Sequence, residues 1–265
     1  MVQEQLVQLP IASEPLVAGA FFVETDAVDG DRLLLVEEEA HHVRVRRYRE
    51  GDMIDVIDGE GCAYRVRIDG MTGKRVEAQI VERHLEWGES PVCLHLAAAV
   101  PKGSRFDLVI EKGTEVGVAS IFPVLTERGV ARPAGDSRRV DRWHRLAREA
   151  AKQCGRSRVP RLAEPMALPI VADALARQCP RLLVASAAGA MPLAEALSGE
   201  NGPIGLFIGP EGGFESAEYA ALEERGARAF TWGERVLRAE TAAIVLSTLV
   251  LDTVARRIVR IPKEA

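Results

Sequence analysis

Hydrophobic and polar positions follow two different patterns along the chain, and the change comes near residue 87. Before it, short runs of alternating apolar and polar residues are separated by turn dipeptides such as Asp58-Gly59 and Asp69-Gly70. This period of two predicts short strands that pack as a small barrel or sandwich. The predicted strands cover residues 21–24, 32–36, 53–57, 63–68 and 75–81.

After a linker at residues 87–91, strands alternate with longer stretches of helical periodicity, which predicts parallel β-α units. The predicted strands cover residues 92–100, 119–125, 182–186, 204–208 and 227–231. After the first of these strands, Ser104 and Asp107 resemble a capping box that opens a helix, and Gly117 ends that helix. A final helix begins near Arg238 and stays apolar through Val254.

The composition is that of an ordinary globular protein. The 265 residues are 47% hydrophobic and 28% charged, and this length favours one large or two modest domains. The four cysteines, Cys62, Cys93, Cys154 and Cys179, form no Cys-x-x-Cys pair, which favours free thiols in a reducing cytosol and no metal site. No run approaches 18 apolar residues, so we expect no membrane span.

Basic residues are concentrated locally although the net charge is −5, a value that argues against a protein coating nucleic acid through its overall charge. Residues 128–161 contain eleven Lys or Arg and only three Asp or Glu. Four of these cations have the spacing of one helix face, which indicates a phosphate-backbone footprint, although any single one could be an ordinary solvated side chain. They are Arg138, Arg142, Arg145 and Lys152; a second basic cluster contains Arg44, Arg46, Arg47 and Arg49.

Two strand-to-loop passages near the C-terminus carry glycine-rich turns. In residues 204–214 an apolar strand meets Gly-Pro-Glu-Gly-Gly, and residues 231–243 form the second passage. Glycine has no Cβ, so such loops at the carboxyl ends of strands let backbone groups approach a ligand, although a plain turn is the alternative for each glycine alone. No P-loop, no Gly-x-Gly-x-x-Gly after the first strand of either half and no Gly-x-Ser-x-Gly motif is present, which disfavours nucleotidase, dehydrogenase and hydrolase interpretations.

Several segments together resemble a known family. They are Gly-Pro-Glu-Gly-Gly-Phe at 209–214, Gly-Glu-Arg-Val-Leu-Arg-Ala-Glu-Thr-Ala at 233–242, the Lys-Gly-Ser-Arg-Phe-Asp run at 102–107 with its continuation to 117, Gln-Cys-Gly-Arg-Ser-Arg-Val-Pro at 153–160, and His-His-Val-Arg-Val-Arg-Arg at 41–47 followed by Gly-Asp at 51–52. In this order, over roughly residues 20 to 260, they resemble the RsmE-like family of SPOUT-class methyltransferases, which methylate N3 of a uridine in small-subunit ribosomal RNA. The chain departs from the family pattern at Trp232, Val236 and Ala239.

The resemblance implies an α/β fold with two domains. A SPOUT trefoil-knotted methyltransferase domain with a parallel sheet, residues 89–265, would follow a small PUA-like β-barrel RNA-binding domain, residues 18–88, and a loose N-terminal extension, residues 1–17. It also implies a cytoplasmic homodimer that uses S-adenosyl-L-methionine and acts on 16S ribosomal RNA, within an assembled or nearly assembled small subunit. The alternatives are another RNA site, such as a ribose 2′-hydroxyl or a tRNA base, and a non-catalytic RNA-binding factor in ribosome assembly.

By the same resemblance, the loops after the last three predicted strands form the cofactor pocket. The predicted cofactor-binding residues are Ser186, Ile208, Gly209, Gly212, Gly213, Trp232, Gly233, Val236, Leu237, Thr241 and Ala242. The predicted RNA-binding residues are Arg44, Arg47, Arg138, Arg142, Arg145, Lys152 and Arg158.

The candidates for catalysis are Arg156, Glu211 and Arg238, because the target nitrogen must lose a proton and negative charge develops on the uracil ring. Arg156 could bind a uracil oxygen. Glu211 could accept the proton or simply cap the following helix. Arg238 and the neighbouring Glu240 could instead form a buried ion pair that holds the loop.

Overall fold

The computed structural model describes residues 19–129, 137–186, 191–199 and 201–260. The predicted extension at residues 1–17 lies outside them. The described chain forms two sheets, one before residue 86 and one after residue 93, which we call the N-terminal and C-terminal halves. Residues 86–93 are the linker between them.

The N-terminal half is a six-stranded, mostly antiparallel sheet with strand order β1-β4-β5-β6-β3-β2. Leu33, Leu35, Val56 and Val66 are among the buried residues that form its core. Its elements are β1 (Phe21–Phe22), a 3₁₀ turn (Thr25–Ala27), β2 (Val28–Asp29), β3 (Arg32–Val36), α1 (Glu37–Val45), β4 (Met53–Ile57), β5 (Cys62–Thr72) and β6 (Arg75–Leu85).

The C-terminal half is an eight-stranded sheet in which every recorded pairing is parallel, with order β10-β8-β7-β13-β11-β14-β12 and β9 beside β8. Its strands are β7 (Leu94–Ala99), β8 (Ser120–Leu125), β9 (Arg161–Leu162), β10 (Met166–Ala167), β11 (Arg181–Ala185), β12 (Met191–Pro192), β13 (Ile204–Ile208) and β14 (Ala227–Thr231). Its helices are α2 (Arg105–Val116), α3 (Ser137–Cys154), α4 (Leu168–Gln178), α5 (Leu193–Ala196), α6 (Ser216–Glu223) and α7 (Ala239–Arg260).

Helices cover both faces of this sheet, because successive side chains of a strand point to opposite sides. On β7, Leu94 and Leu96 pack into one apolar cluster with α2, α3 and α7, whereas Ala97 packs into the cluster formed with α4 and α6. After β14, helix α7 returns across the sheet to pack on α2 and β7. The threading of a trefoil knot stays a prediction from the family.

The strand predictions at 32–36, 53–57, 204–208 and 227–231 agree with the structure in both bounds. Helix α1 was not predicted, because only Ala40 and Val43 of its nine residues are buried among charged neighbours. The capping box predicted at Ser104 is wrong: Ser104 makes no capping hydrogen bond with its side chain, and the carboxylate of Asp107 instead accepts from Trp143 Nε1 over 3.0 Å. None of the described helices meets the length and apolarity needed to cross a membrane.

Candidate active site

An open cleft lies at the carboxyl ends of β11, β13 and β14. Neighbouring parallel strands end at the same edge of a sheet, so the loops that follow them converge there. Helix α7 closes one wall of the cleft. The lining residues are Ala185, Ser186, Ile208, Gly209, Pro210, Glu211, Gly213, Tyr219, Phe230, Thr231, Trp232, Gly233, Arg235, Val236, Leu237, Ala239, Ala242 and Leu246.

This cleft brings together most of the residues predicted to bind a cofactor. Only Gly212 and Thr241, among the predicted set, are absent from its lining. Thr241 is exposed on α7, one residue before the lining residue Ala242. The members that line the cleft are Ser186, Ile208, Gly209, Gly213, Trp232, Gly233, Val236, Leu237 and Ala242.

The glycines of the two loops are required for different physical reasons. Gly213 and Gly233 have φ angles of 71° and 72°, in the left-handed region that side chains rarely adopt. A Cβ on Gly209 would lie 3.2 Å from both the ring and the backbone nitrogen of Phe214, so this glycine lets the loop fold against itself. A Cβ on Gly212 would lie 3.3 Å from Cδ of Arg128, away from the cleft.

Two arginines from distant parts of the sequence hold the first glycine loop. Arg105, at the start of α2, donates from Nη1 to Oε1 of Glu211 over 2.6 Å. Arg128, after β8, donates to the carbonyl oxygen of Gly212 and to the carboxylate of Glu215. Neither arginine was predicted from the sequence as a site residue. The order of β7, β8 and β13 in the sheet brings them to the loop, and no sequence motif encodes that order.

Aromatic side chains line part of the cleft and were also missed. Tyr219 donates from its hydroxyl to the carbonyl oxygen of Ala185 over 3.1 Å and meets the Phe214 ring edge-on, which fixes its position. Phe230 is buried at the end of β14. At the mouth, the guanidinium of Arg235 lies 5.7 Å from the centre of the Trp232 ring. The cleft therefore combines apolar walls with charged groups at its rim.

Of the three residues predicted to be catalytic, the cleft contains only Glu211. The side chain of Arg238 is exposed and outside the lining, and its carbonyl oxygen accepts the first hydrogen bond of α7, from Ala242 N over 2.8 Å. Glu240 is buried, and its Oε2 has no hydrogen-bond partner within the described ranges. No ion pair between Arg238 and Glu240 is recorded in the described part of the chain.

The catalytic role predicted for Arg156 does not fit its surroundings. The residue is 3% exposed and does not line the cleft. Its guanidinium donates to the carboxylate of Glu89, with Nη2 to Oε2 at 2.7 Å, and to the carbonyl oxygens of Thr114 and Val118 at 2.7 and 3.0 Å. A uracil could reach this group only after several buried hydrogen bonds had broken, and the catalytic role of Arg156 stays a prediction.

The four cations predicted to share one helix face are only partly available to RNA. Helix α3 is continuous, and Arg138 and Arg145 are exposed without an ion pair among the described residues. Arg142 is exposed but bonds to Asp107. Lys152 is 5% exposed and its Nζ is bonded to Glu39 at 2.6 Å and to Glu149, so these bonds would have to break before it could bind RNA as predicted.

The remaining predicted RNA contacts lie around the N-terminal half. Arg47 is exposed, with a φ of 64°. Arg44 is half-buried, and its Nη2 has no hydrogen-bond partner among the described residues. Arg158 donates to the carboxylate of Glu86 on the linker. Of these three cations, Arg47 is therefore the one most accessible to a phosphate.

Comparison with known proteins gives a consistent result for both halves. Residues 88–251 match the RNA methyltransferase domain family, and residues 35–81 match the RNA methyltransferase PUA domain. The chain is 31% identical to the ribosomal RNA small subunit methyltransferase E of Synechocystis sp. over 90% of this chain and 79% of that protein.

Solved structures agree with this match. The ribosomal RNA small subunit methyltransferase E from Neisseria gonorrhoeae, solved with bound S-adenosyl methionine, is 29% identical with a TM-score of 0.79, over 89% of this chain and 98% of that chain. A Legionella pneumophila protein solved with the same cofactor is 29% identical with a TM-score of 0.76, over the same shares. The fold is therefore a SPOUT-type α/β domain preceded by a PUA-like domain, and the chain belongs to the ribosomal RNA small subunit methyltransferase E family.

Proposed function

We propose that this chain is an S-adenosyl-L-methionine-dependent methyltransferase that modifies N3 of a uridine in 16S ribosomal RNA. One observation carries the proposal: the two glycine-bearing passages that resemble the family's cofactor loops converge on a single cleft at the carboxyl edge of the sheet. The names of the relatives, and the cofactor bound in the neighbouring structures, support methylation of ribosomal RNA with this cofactor.

The cleft has the chemistry that this cofactor needs. Ile208, Leu237 and Leu246 offer apolar contact to a neutral adenine, and the small side chains of Ala239 and Ala242 leave room for it. Glu211 and Arg235 place one negative and one positive group at the rim, which suits a ligand with an ammonium, a carboxylate and a sulfonium. When bound, the cofactor supplies a methyl group already activated by its sulfonium.

The chain's own residues then have to orient the uracil and manage one proton. We assign proton acceptance from N3 to the carboxylate of Glu211, which Arg105 orients through the 2.6 Å hydrogen bond. We assign stabilisation of negative charge on a uracil oxygen to Arg235, the cation in the cleft lining, in place of the buried Arg156. The rigid walls contribute by holding the acceptor in line with the transferred methyl.

For RNA binding, we propose that Arg138 and Arg145 on α3, together with Arg47, contact the phosphate backbone. Their exposure supports this role, and a local positive surface is required because the whole chain carries a net charge of −5. The proposed substrate is 16S ribosomal RNA in an assembled or nearly assembled small subunit, which places the enzyme in the cytoplasm.

We further propose that the protein acts as a homodimer. Val236 is 77% exposed and the neighbouring Trp232 is 36% exposed, so an apolar surface borders the mouth of the cleft. Two-fold pairing through this surface would bury both side chains and place a second subunit beside the bound RNA.

Nucleoside mass spectrometry of 16S ribosomal RNA, from cells with and without the gene, tests the proposal. We expect N3-methyluridine to be lost when the gene is removed and restored when it is returned. Loss of a 2′-O-methyl nucleoside or of a tRNA modification instead would move the target within the same enzyme class. Unchanged RNA nucleosides with a defect in subunit assembly would favour a non-catalytic factor.

A further inference from the structure

The loop at residues 155–160, which we call the clamp loop, bonds to the linker and to the N-terminal half through its backbone. Ser157 N donates to the carbonyl oxygen of Trp87 over 2.9 Å, and Ser157 O accepts from Gly61 N over 3.1 Å. Val159 N donates to Gly59 O over 2.9 Å. The loop belongs to the C-terminal half by sequence, so these bonds join the two halves.

The side chain of Arg156 extends this connection to α2. Its guanidinium bridges the Glu89 carboxylate on the linker and two carbonyl oxygens, that of Thr114 in the last turn of α2 and that of Val118 just after the helix. Helix α2 begins at Arg105, which holds Glu211 at the cleft. One buried arginine therefore fixes the linker against the helix that supports the proposed catalytic carboxylate.

Two glutamates of the linker also accept hydrogen bonds from the clamp loop. Glu89 also accepts a hydrogen bond from the backbone nitrogen of Arg158 over 3.0 Å, and Glu86 accepts from the Arg158 side chain. Gly88 has a φ of 70°, and a Cβ there would lie 2.9 Å from the carbonyl oxygen of Gly155. The linker thus lies directly on the clamp loop, with no space for a side chain between them.

The end of α3 makes a second set of contacts between the N-terminal and C-terminal halves. Lys152 O accepts hydrogen bonds from the backbone nitrogens of Gly19 and Ala20, at 3.2 and 2.9 Å. The Lys152 ammonium reaches Glu39 on α1. These contacts flank the clamp loop, so Arg156 lies at the centre of the contact between the two halves.

We propose that Arg156 is a positioning residue: it fixes the N-terminal half relative to the cleft, so that one RNA segment engages both at once. This inference rests on the proposed function. When two binding surfaces are held at a fixed separation, the second contact forms at a high effective concentration, and the gain in affinity is on the order of 10²–10⁴-fold. If the halves move independently, each surface binds RNA by itself and most of that gain is lost.

Steady-state methylation of unmethylated small subunits by the full-length enzyme tests the inference. For Arg156→Ala we expect KM for subunits to rise about 10²-fold, while kcat at saturating subunits and the affinity for S-adenosyl-L-methionine change little. Arg156→Lys should be intermediate, because an ammonium can reach Glu89 but lacks the planar fork that also serves two carbonyls. Small-angle X-ray scattering should show a larger maximum dimension for Arg156→Ala than for wild type.

Arg225→Ala is the matched control. Arg225 also bonds a carboxylate, Asp173 over 2.7 Å, and a carbonyl, Ala221 O, but all three residues lie in the C-terminal half. It should leave KM for subunits unchanged. Cofactor binding shows whether Arg156→Ala is folded. If it is not, Glu89→Gln replaces it, because this variant removes the charge that pairs with Arg156 and keeps the side-chain volume; the same rise in KM for subunits is expected.

Two results would overturn the inference. A normal KM with a strongly reduced kcat would return Arg156 to a catalytic role, and a normal KM with only lower thermal stability would make it purely structural. Failure of the proposed function is distinguishable, since the wild-type enzyme would then methylate no ribosomal RNA at all. In that case an unchanged scattering profile for Arg156→Ala would still contradict the proposal that Arg156 fixes the relative position of the two halves.

Discussion

Arg105 donates a 2.6 Å hydrogen bond to the carboxylate of Glu211, a residue 106 positions further along the chain. The bond joins the first turn of α2 to the glycine loop after β13, across the carboxyl edge of the sheet. Both side chains are nearly half exposed, so the pair adds little to stability. Its consequence is orientation, because it fixes a carboxylate in the lining of the proposed cofactor cleft.

If Glu211 accepts the N3 proton, Glu211→Gln should reduce the single-turnover rate of methylation by about 10²-fold or more, the usual contribution of a general base. The amide keeps the size of the side chain but cannot take the proton, so the rate should fall by a larger factor than the affinity for S-adenosyl-L-methionine. Arg105→Ala, which leaves the carboxylate but removes its orienting partner, should give a smaller loss. Methylation by Glu211→Gln at the wild-type rate would exclude Glu211 as the proton acceptor.

The position of Ala242 in the cleft wall predicts a steric block. Ala242→Leu should abolish S-adenosyl-L-methionine binding in calorimetry, because the larger side chain fills space against Leu237 and Leu246, while the helix tolerates leucine well. Thr241→Leu is the matched control: this neighbour is exposed and outside the lining, so it should bind normally. Wild-type affinity in a folded Ala242→Leu variant would place the cofactor elsewhere.

The exposed arginines of α3 predict a salt-dependent contact with RNA. Arg138→Glu and Arg145→Glu should each weaken binding to 16S ribosomal RNA and lower the slope of log affinity against log salt by about 0.7–0.9. Cofactor affinity should not change. Arg177→Glu on α4, the helix on the opposite face of the sheet, should leave the slope as in wild type.

Substitution of Lys152 tests whether this cation of α3 binds RNA or stabilises the fold. Because Lys152→Ala leaves the Glu39 carboxylate without its buried partner, we expect it to lower the free energy of unfolding by about 3 kcal/mol. The salt slope should stay unchanged. Denaturant unfolding and RNA titration on one preparation distinguish the two effects, and a lowered slope with normal stability would restore Lys152 to the RNA surface.

The exposed apolar surface formed by Val236 and Trp232 at the mouth of the cleft predicts a homodimer. Light scattering should give about twice the 28.8 kDa chain mass at the concentrations used for activity assays. Val236→Lys should shift the protein toward monomer, because it would bury an ammonium in the interface. An active wild-type monomer would contradict the dimer.

How far the sequence predicts this structure depends on whether the determining signal is local. Alternating or continuous apolar runs defined β3, β4, β13 and β14 with correct bounds, since burial on a sheet dictates those patterns. The two glycine loops were predicted from their glycine-containing sequences together with the family resemblance. Residue type alone could not show that Arg156 and Lys152 are buried and paired, because burial depends on how distant segments pack.

Long-range relationships stayed beyond the sequence. Arg105 and Arg128 reach the glycine loop because β7 lies between β8 and β13, and no local pattern reports that order. The same holds for Tyr219, whose place in the cleft depends on α6 packing beside β14 and on its bond to Ala185.

The proposed reaction can be followed directly through the transferred methyl group. Purified protein is incubated with isotopically labelled S-adenosyl-L-methionine and with small subunits that lack the modification, and the ribosomal RNA is digested to nucleosides for mass spectrometry. We expect close to one labelled N3-methyluridine per subunit with wild-type protein, and none with Ala242→Leu. Label in a 2′-O-methyl nucleoside, or no label while the protein binds the cofactor, would contradict it.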